Sequence, residues 1–159
     1  MRLSEITTTA KSEFTSPKDV LKMIKLWHER NTPKIGNLKL SKQVQTVDMG
    51  TVLYRGVVLD SEELQDLQDG EEITLPSKGF SSWSEDVQVA KEFAHGAGTG
   101  SGVVIKKPAS KLQIWLNVDE FMFQNKFNAE KELQRPNERE IIVKETEPLV
   151  ISKADLSTR

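Results

Sequence analysis

The sequence predicts an α+β fold, and three observations carry that expectation. An amphipathic helical segment comes first in the chain. Short β-rich runs follow, with short helical segments between them at irregular intervals, which fits antiparallel or mixed sheets and not a doubly wound βαβ array. No run is apolar enough to span a bilayer, since the most apolar early segment, 20–27, is broken by Lys22 and Lys25.

Residues 1–15 are rich in Thr and Ser and carry no clear period. Ser16-Pro17-Lys18-Asp19 reads as a helix start, with Ser16 as N-cap, Pro17 at the first helical position and Asp19 three residues after the cap. Val20, Leu21, Ile24 and Trp27 follow at helical spacing, so one face turns inward. Asn31-Thr32-Pro33 ends the helix.

Thr51 to Leu59 reads as a strand. Ser61 is the expected cap of a short helix through Leu67, and Asp69-Gly70 is a turn signal. Ile73-Thr74-Leu75 and Gly79 to Trp83 read as extended segments. Ser84 is expected to cap a second helix, whose Val87, Ala90, Phe93 and Ala94 fall at helical spacing. His95 to Gly102 is a glycine-rich loop. Val103 to Lys107 and Leu112 to Leu116 read as strands, and Asn117 with Glu120 opens a short helix. Residues 123–137 are polar and loop-like, Ile141-Ile142-Val143 is a strong strand, and Leu149 to Ile151 is a last one.

The chain has 159 residues, 36% apolar and 29% charged. A single domain of that length buries roughly 70% of its unfolded surface and needs no disulfide or metal to fold. There is no cysteine, which excludes a disulfide scaffold, thiolate metal sites and a cysteine nucleophile. Two histidines, His28 and His95, do not make a multi-histidine metal site. With no export signal, the expectation is a soluble protein that stays in the cytoplasm.

Charge is uneven along the chain. Residues 1–46 carry nine Lys/Arg against four Asp/Glu, whereas residues 47–102 carry three against eleven. A basic N-terminal third is either a solvated helix face or a contact for nucleic acid or an acidic partner.

Four features bear on chemistry. Gly96, Gly98, Gly100 and Gly102 do not form a dinucleotide fingerprint, because the order is helix, loop, strand. They form a connector or a flexible loop over a ligand. Arg55, mid-strand beside Gly56, needs a partner: an internal carboxylate or the phosphate or carboxylate of a ligand. Gly56 removes a side chain where a ligand can approach the backbone. Glu138 and Glu140 are two apart at the start of a strand, a spacing that puts both carboxylates on one face and raises at least one pKa. They are either a solvated strand start paired with Arg135 or Arg139, or a working pair for a developing cation.

Together, Tyr54-Arg55-Gly56, Gly79-Phe80-Ser81-Ser82-Trp83-Ser84, Val89 to Ala94 and Glu138-Arg139-Glu140-Ile141-Ile142 resemble the mono-ADP-ribosyltransferases of the Arg/Ser-Thr-Ser/Glu-x-Glu type. Order and intervals agree over about residues 50–145, and 1–46 correspond loosely to a short N-terminal helical part. The resemblance implies one domain over 1–159 with a catalytic β core at 47–152. It implies a split β-sandwich of two small sheets with N-terminal and peripheral helices, and NAD in the cleft between the sheets.

By the same resemblance, Arg55 holds the NAD pyrophosphate, with Tyr54 and Trp83 as neighbouring cofactor-binding positions. The Gly56 backbone meets the nicotinamide amide, Ser82 orients the catalytic Glu140, and Glu138 prepares the acceptor. Phe93 packs its helix onto the sheet. Glu at position 138 goes with arginine as acceptor. NAD is a co-substrate, no metal is required, and the partner is a target protein with an accessible arginine, such as a host transcription or translation component if the chain is phage-encoded. The glycine loop at 95–102 falls where relatives cover the ligand. Two departures stand out: Trp83 occupies the usual Thr position, and residues 134–137 lack an aromatic, the nearest being Phe127. Alternatives are an NAD glycohydrolase, transfer to another acceptor including nucleic acid, and a non-catalytic binding module on the same fold.

Overall fold

A computed structural model of the chain describes residues 13–30, 33–96 and 102–157. Among the described residues the first helix, α1 (Pro17–Arg30), starts where the sequence places it. Ser16 Oγ accepts from the Asp19 N–H at 3.3 Å and its carbonyl accepts from the Val20 N–H at 2.9 Å. Strand β1 (Val52–Val58) follows two 3-10 turns, Pro33–Asn37 and Lys42–Val44. Then come α2 (Ser61–Gln68), β2 (Ile73–Leu75), β3 (Phe80–Ser84), α3 (Val87–Gly96) and β4 (Gly102–Pro108). The chain continues through β5 (Gln113–Asn117), α4 (Val118–Gln124), α5 (Ala129–Glu132), β6 (Glu140–Lys144) and β7 (Leu149–Ile151). The glycine loop expected at 95–102 is described only at its ends, in α3 and β4; 97–101 lie outside the described residues.

Three local expectations are corrected. The cap of α2 is Asp60, not Ser61: Asp60 accepts from the Glu63 N–H at 2.7 Å while the Glu63 side chain accepts from the Asp60 N–H at 3.0 Å. A reciprocal box needs a Glu three residues after the cap, which Asp60 has. Helix α3 is capped by Asp86, not Ser84. Asp86 Oδ1 accepts from the Gln88 N–H at 2.9 Å, and its carbonyl accepts from Val89 and Ala90. Residues 123–137 are not all loop: α4 runs to Gln124, and Asn128 caps the single turn α5 by accepting from the Lys131 N–H at 3.2 Å. One turn is too short to leave a periodic signal.

The fold is α+β with two antiparallel sheets. The larger has the order β4-β1-β3-β6-β5, and the smaller pairs β2 with β7. The larger sheet is not uniform. β1 pairs with β4 along its whole length, Val52↔Pro108 to Val58↔Gly102, and β3 pairs with β6 from Phe80↔Lys144 to Ser84↔Glu140. Between these halves β1 meets β3 only at Tyr54↔Ser84. The halves therefore part on one side of that pair.

Successive residues of β6 point to opposite faces, and each face has its own core. Ile142 joins Ile24 and Trp27 of α1, Leu116 of β5 and Phe121 of α4. Ile141 and Val143 join Leu53, Trp83 and Ile105 together with Ile73 and Ile151 of the small sheet. The second cluster holds the two sheets together.

Helix α3 lies directly on β1 and β4 because two glycines admit it. A Cβ on Gly56 would collide with the Ala90 carbonyl and the Ala94 amide, and one on Gly102 with the Ala94 carbonyl. Backbone atoms of a helix cannot yield to such a collision. Gly56→Ala is expected to lower stability by roughly 1–3 kcal/mol or more in urea unfolding. Gly50→Ala, whose Cβ would meet only Asp48 Oδ1 at 3.5 Å, is expected to change little. Equal effects of the two substitutions would refute this account of the α3–β1 contact.

Candidate active site

The residues singled out from the sequence converge. Tyr54, Arg55, Gly56, Ser82, Trp83, Glu138 and Glu140 all line one cleft of about 560 Å³, a size that suits a small-molecule ligand. Strand register brings them together: Tyr54 pairs with Ser84 and Ser84 with Glu140, so three strands align at one level. The cleft is bordered by both halves of the split sheet and by α1 and α3.

Glu140 is a buried acidic residue of the cleft, with 3% of its surface exposed. Its Oε2 accepts from Ser82 Oγ at 2.6 Å and from Trp27 Nε1 at 2.9 Å. Its Oε1 meets His28 Nε2 at 2.5 Å. Burial pushes the Glu140 carboxyl up. The hydrogen bond and charge of His28, with the bonds from Ser82 and Trp27, overcome burial and hold it below the ordinary glutamate value. The group is a fixed carboxylate.

Trp27 and His28 were missed as site residues, although a signal exists. His28 lies i+4 from Ile24 and i+7 from Leu21, on the apolar stripe of α1. A polar ring on such a stripe needs a buried partner. Among the described residues, His28 Nδ1 is the buried side-chain polar atom left without a hydrogen bond.

Glu138 differs from Glu140. It lies outside β6, and Arg139 between them has φ 47°, so the two glutamates are not a regular strand pair as the spacing suggested. Arg139 turns away to Glu85 at 2.7 Å, and both glutamates still line the cleft. Ser84 fixes this turn by donating to the Glu138 carbonyl at 2.6 Å while accepting from the Asp86 N–H at 2.9 Å. Burial raises the Glu138 carboxyl; Arg135 opposes this and Glu140 adds to it. The two carboxyls thus shift in opposite directions.

Arg55 pairs internally: Nη1 donates to Glu145 Oε2 at 3.4 Å. Burial lowers the guanidinium pKa, partly offset by Glu145. Glu145 Oε1 also accepts from the Lys78 N–H at 3.3 Å, and Lys78 lines the same cleft. A guanidinium has five donors in a planar fork, so one long contact leaves capacity toward the cleft.

Packing sets four positions around the cleft. Trp83 is 2% exposed, donates from Nε1 to Ser81 Oγ at 2.8 Å, and packs in the core beside Arg55 at the wall of the cleft. Above Gly56 lies α3, so the missing side chain there serves helix packing. Tyr54 also packs against Ala90 and Ala94. Phe93 does not bury itself on the sheet; it is 42% exposed and lines the cleft. Among the described residues, no helix is long and apolar enough to cross a membrane. Searches of family models, curated proteins and solved structures gave no match to this chain.

Removing His28 takes one donor from a buried carboxylate. His28→Ala is expected to cost about 1.5–3 kcal/mol at neutral pH, measured by urea unfolding. In a double-mutant cycle with Glu140→Gln the coupling is expected at about 0.5–3 kcal/mol. Because the folded pKa of Glu140 is lowered, its stabilisation is complete above the ordinary carboxyl range and is lost as pH falls through the lowered value. The His28→Ala deficit therefore shrinks on acidification, and a deficit that stays constant would count against the pair.

Proposed function

We propose that this chain is an NAD-dependent mono-ADP-ribosyltransferase that moves ADP-ribose from NAD to an arginine of a target protein and releases nicotinamide. The observation that carries the reading is the Ser82–Glu140 bond at 2.6 Å inside a cleft that Arg55 also lines. Those are the residues to which the resemblance assigns the orienting serine, the catalytic glutamate and the pyrophosphate-binding arginine. The split between β1 and β3 at Tyr54↔Ser84 supports the corresponding split-sandwich reading of the fold.

The chemistry of the donor set fits NAD. Arg55 supplies positive charge for a pyrophosphate, and Lys78 is a second basic residue lining the cleft. Breaking the bond between nicotinamide and ribose develops positive charge on the sugar while a neutral base leaves. A carboxylate already fixed by three partners stabilises that charge without reorganising. Glu138 has the second task. An acceptor guanidinium is protonated near neutral pH and is a poor nucleophile. A carboxylate beside it holds it and takes the proton released as its nitrogen bonds to the ribose carbon. The raised pKa of Glu138 makes it the better base of the two.

The first test is transfer of label from adenine-labelled NAD into bacterial lysate proteins, with free nicotinamide counted in parallel. Glu140→Gln is expected to abolish both label and nicotinamide release. Glu138→Gln is expected to keep part of the nicotinamide release and lose the label; equal loss of both would refute the division of labour. The opposite pKa shifts set a second expectation. Acidification protonates Glu138 before Glu140, so kcat/KM for transfer to arginine falls at a higher pH than kcat/KM for NAD hydrolysis. Coincident acid limbs would argue that one carboxylate does both jobs.

A further inference from the structure

Exposure rises from the floor of the cleft to its rim. The Glu140 side chain is 4% exposed, that of Glu138 is 18% exposed, and that of Arg135 is 31% exposed. At this rim three side chains meet. Arg135 Nε lies 3.5 Å from Glu138 Oε1, and the Arg135 guanidinium carbon sits 5.2 Å from the centre of the Phe93 ring. A carboxylate and an aromatic face make a cation site of the kind that suits a planar guanidinium. Glu92 and Glu140 add negative charge around Glu138. Phe93 is a large apolar side chain left partly exposed here, and its ring is the aromatic surface that residues 134–137 lack.

We infer that Glu138 and the Phe93 ring form a guanidinium-binding station at the rim of the cleft, and that Arg135 fills it as an internal stand-in which an incoming arginine displaces. The inference rests on the proposed transferase reading for its biological use, and the station itself is testable without NAD. The occupant is held loosely. Its contact to Glu138 is single and long, in contrast to the short bonds on Glu140. Partly exposed pairs of this kind contribute little and exchange readily. The station also selects: a lysine ammonium can meet Glu138 but cannot lay a planar fork on Phe93.

The probe is agmatine, a small guanidino compound, titrated by NMR into the full chain without NAD. Arg135→Ala is expected to tighten agmatine binding roughly three- to tenfold, the combined loss of one partly exposed ion pair and one cation–π contact. Adding Phe93→Ala to that variant is expected to reverse the gain, and butylamine is expected to show no comparable gain. Should Arg135→Ala fold poorly, Arg135→Gln keeps much of the stem, lacks the charge and is expected to shift affinity in the same direction. Unchanged or weaker agmatine binding in a folded variant would overturn the inference, because Arg135 would then build the site and not fill it. The two readings fail separately. Nicotinamide release with no affinity gain sinks the station and leaves the transferase. An affinity gain with no nicotinamide release does the reverse.

Discussion

The enclosed carboxylate of Glu140 is the constraint around which the molecule is arranged. Burying it is unfavourable, so the fold must supply donors from several directions at once. It does so from opposite ends of the chain. Trp27 and His28 come from α1, Ser82 from β3, and Glu140 itself opens β6. The bonds span more than a hundred residues of sequence between α1 and β6. Helix α1 therefore does more than cover an apolar face. Its stripe carries Ile24 into the core and His28 to the carboxylate, one turn apart. On the proposed reading this answers a catalytic need: a charge-stabilising group acts best when it is already in place.

The second organising feature is the single pair that joins β1 to β3. A continuous ladder there would close the sheet and leave no cleft between Arg55 and the Ser82–Glu140 pair. With one bridge at Tyr54↔Ser84, the strands stay in register but separate beyond it. Gly56 belongs to the same arrangement. It lets α3 settle on β1, which places Phe93 at the rim of the cleft. One glycine thus links helix packing to the shape of the site, although local reading suggested that its open face would serve a ligand.

Much of this was legible in the sequence, and the limits have physical causes. Strands were readable because Ile141-Ile142-Val143 and the β1 run are dense in β-branched residues, and α1 because its cap and stripe coincide. Caps were misjudged where two polar residues compete: Asp60 over Ser61, and Asp86 over Ser84, were decided by which residue had a matching partner three or fewer positions on. Arg55, Ser82, Glu138 and Glu140 were found because the resemblance ties them to one chemistry. Trp27 and His28 were not: the apolar stripe signals that His28 needs a buried partner but does not say which, and Glu140 lies more than a hundred residues further along the chain. The φ of Arg139 was equally invisible, since no glycine marks the left-handed turn.

The charges of the cleft fall into a hierarchy of pairs, and the hierarchy separates scaffold from working parts. Glu140 and His28 are both nearly without solvent and lie 2.5 Å apart, so breaking the pair leaves a buried charge short of a partner. Arg55 with Glu145, and Arg135 with Glu138, are joined by single contacts of 3.4 and 3.5 Å and are more open to water. Groups in the first class cannot exchange partners without disturbing the fold. Groups in the second can, because a ligand phosphate or guanidinium replaces one partner with another of the same sign. On the proposed reading the fixed pair stabilises the reacting centre, while each exchangeable pair keeps a ligand-binding charge compensated until its ligand arrives. The same sorting accounts for the opposite pKa shifts of the two glutamates: at Glu140 burial is overcome by the bonds from His28, Ser82 and Trp27, whereas at Glu138 burial prevails over Arg135 and His28, with Glu140 and Glu92 adding to it.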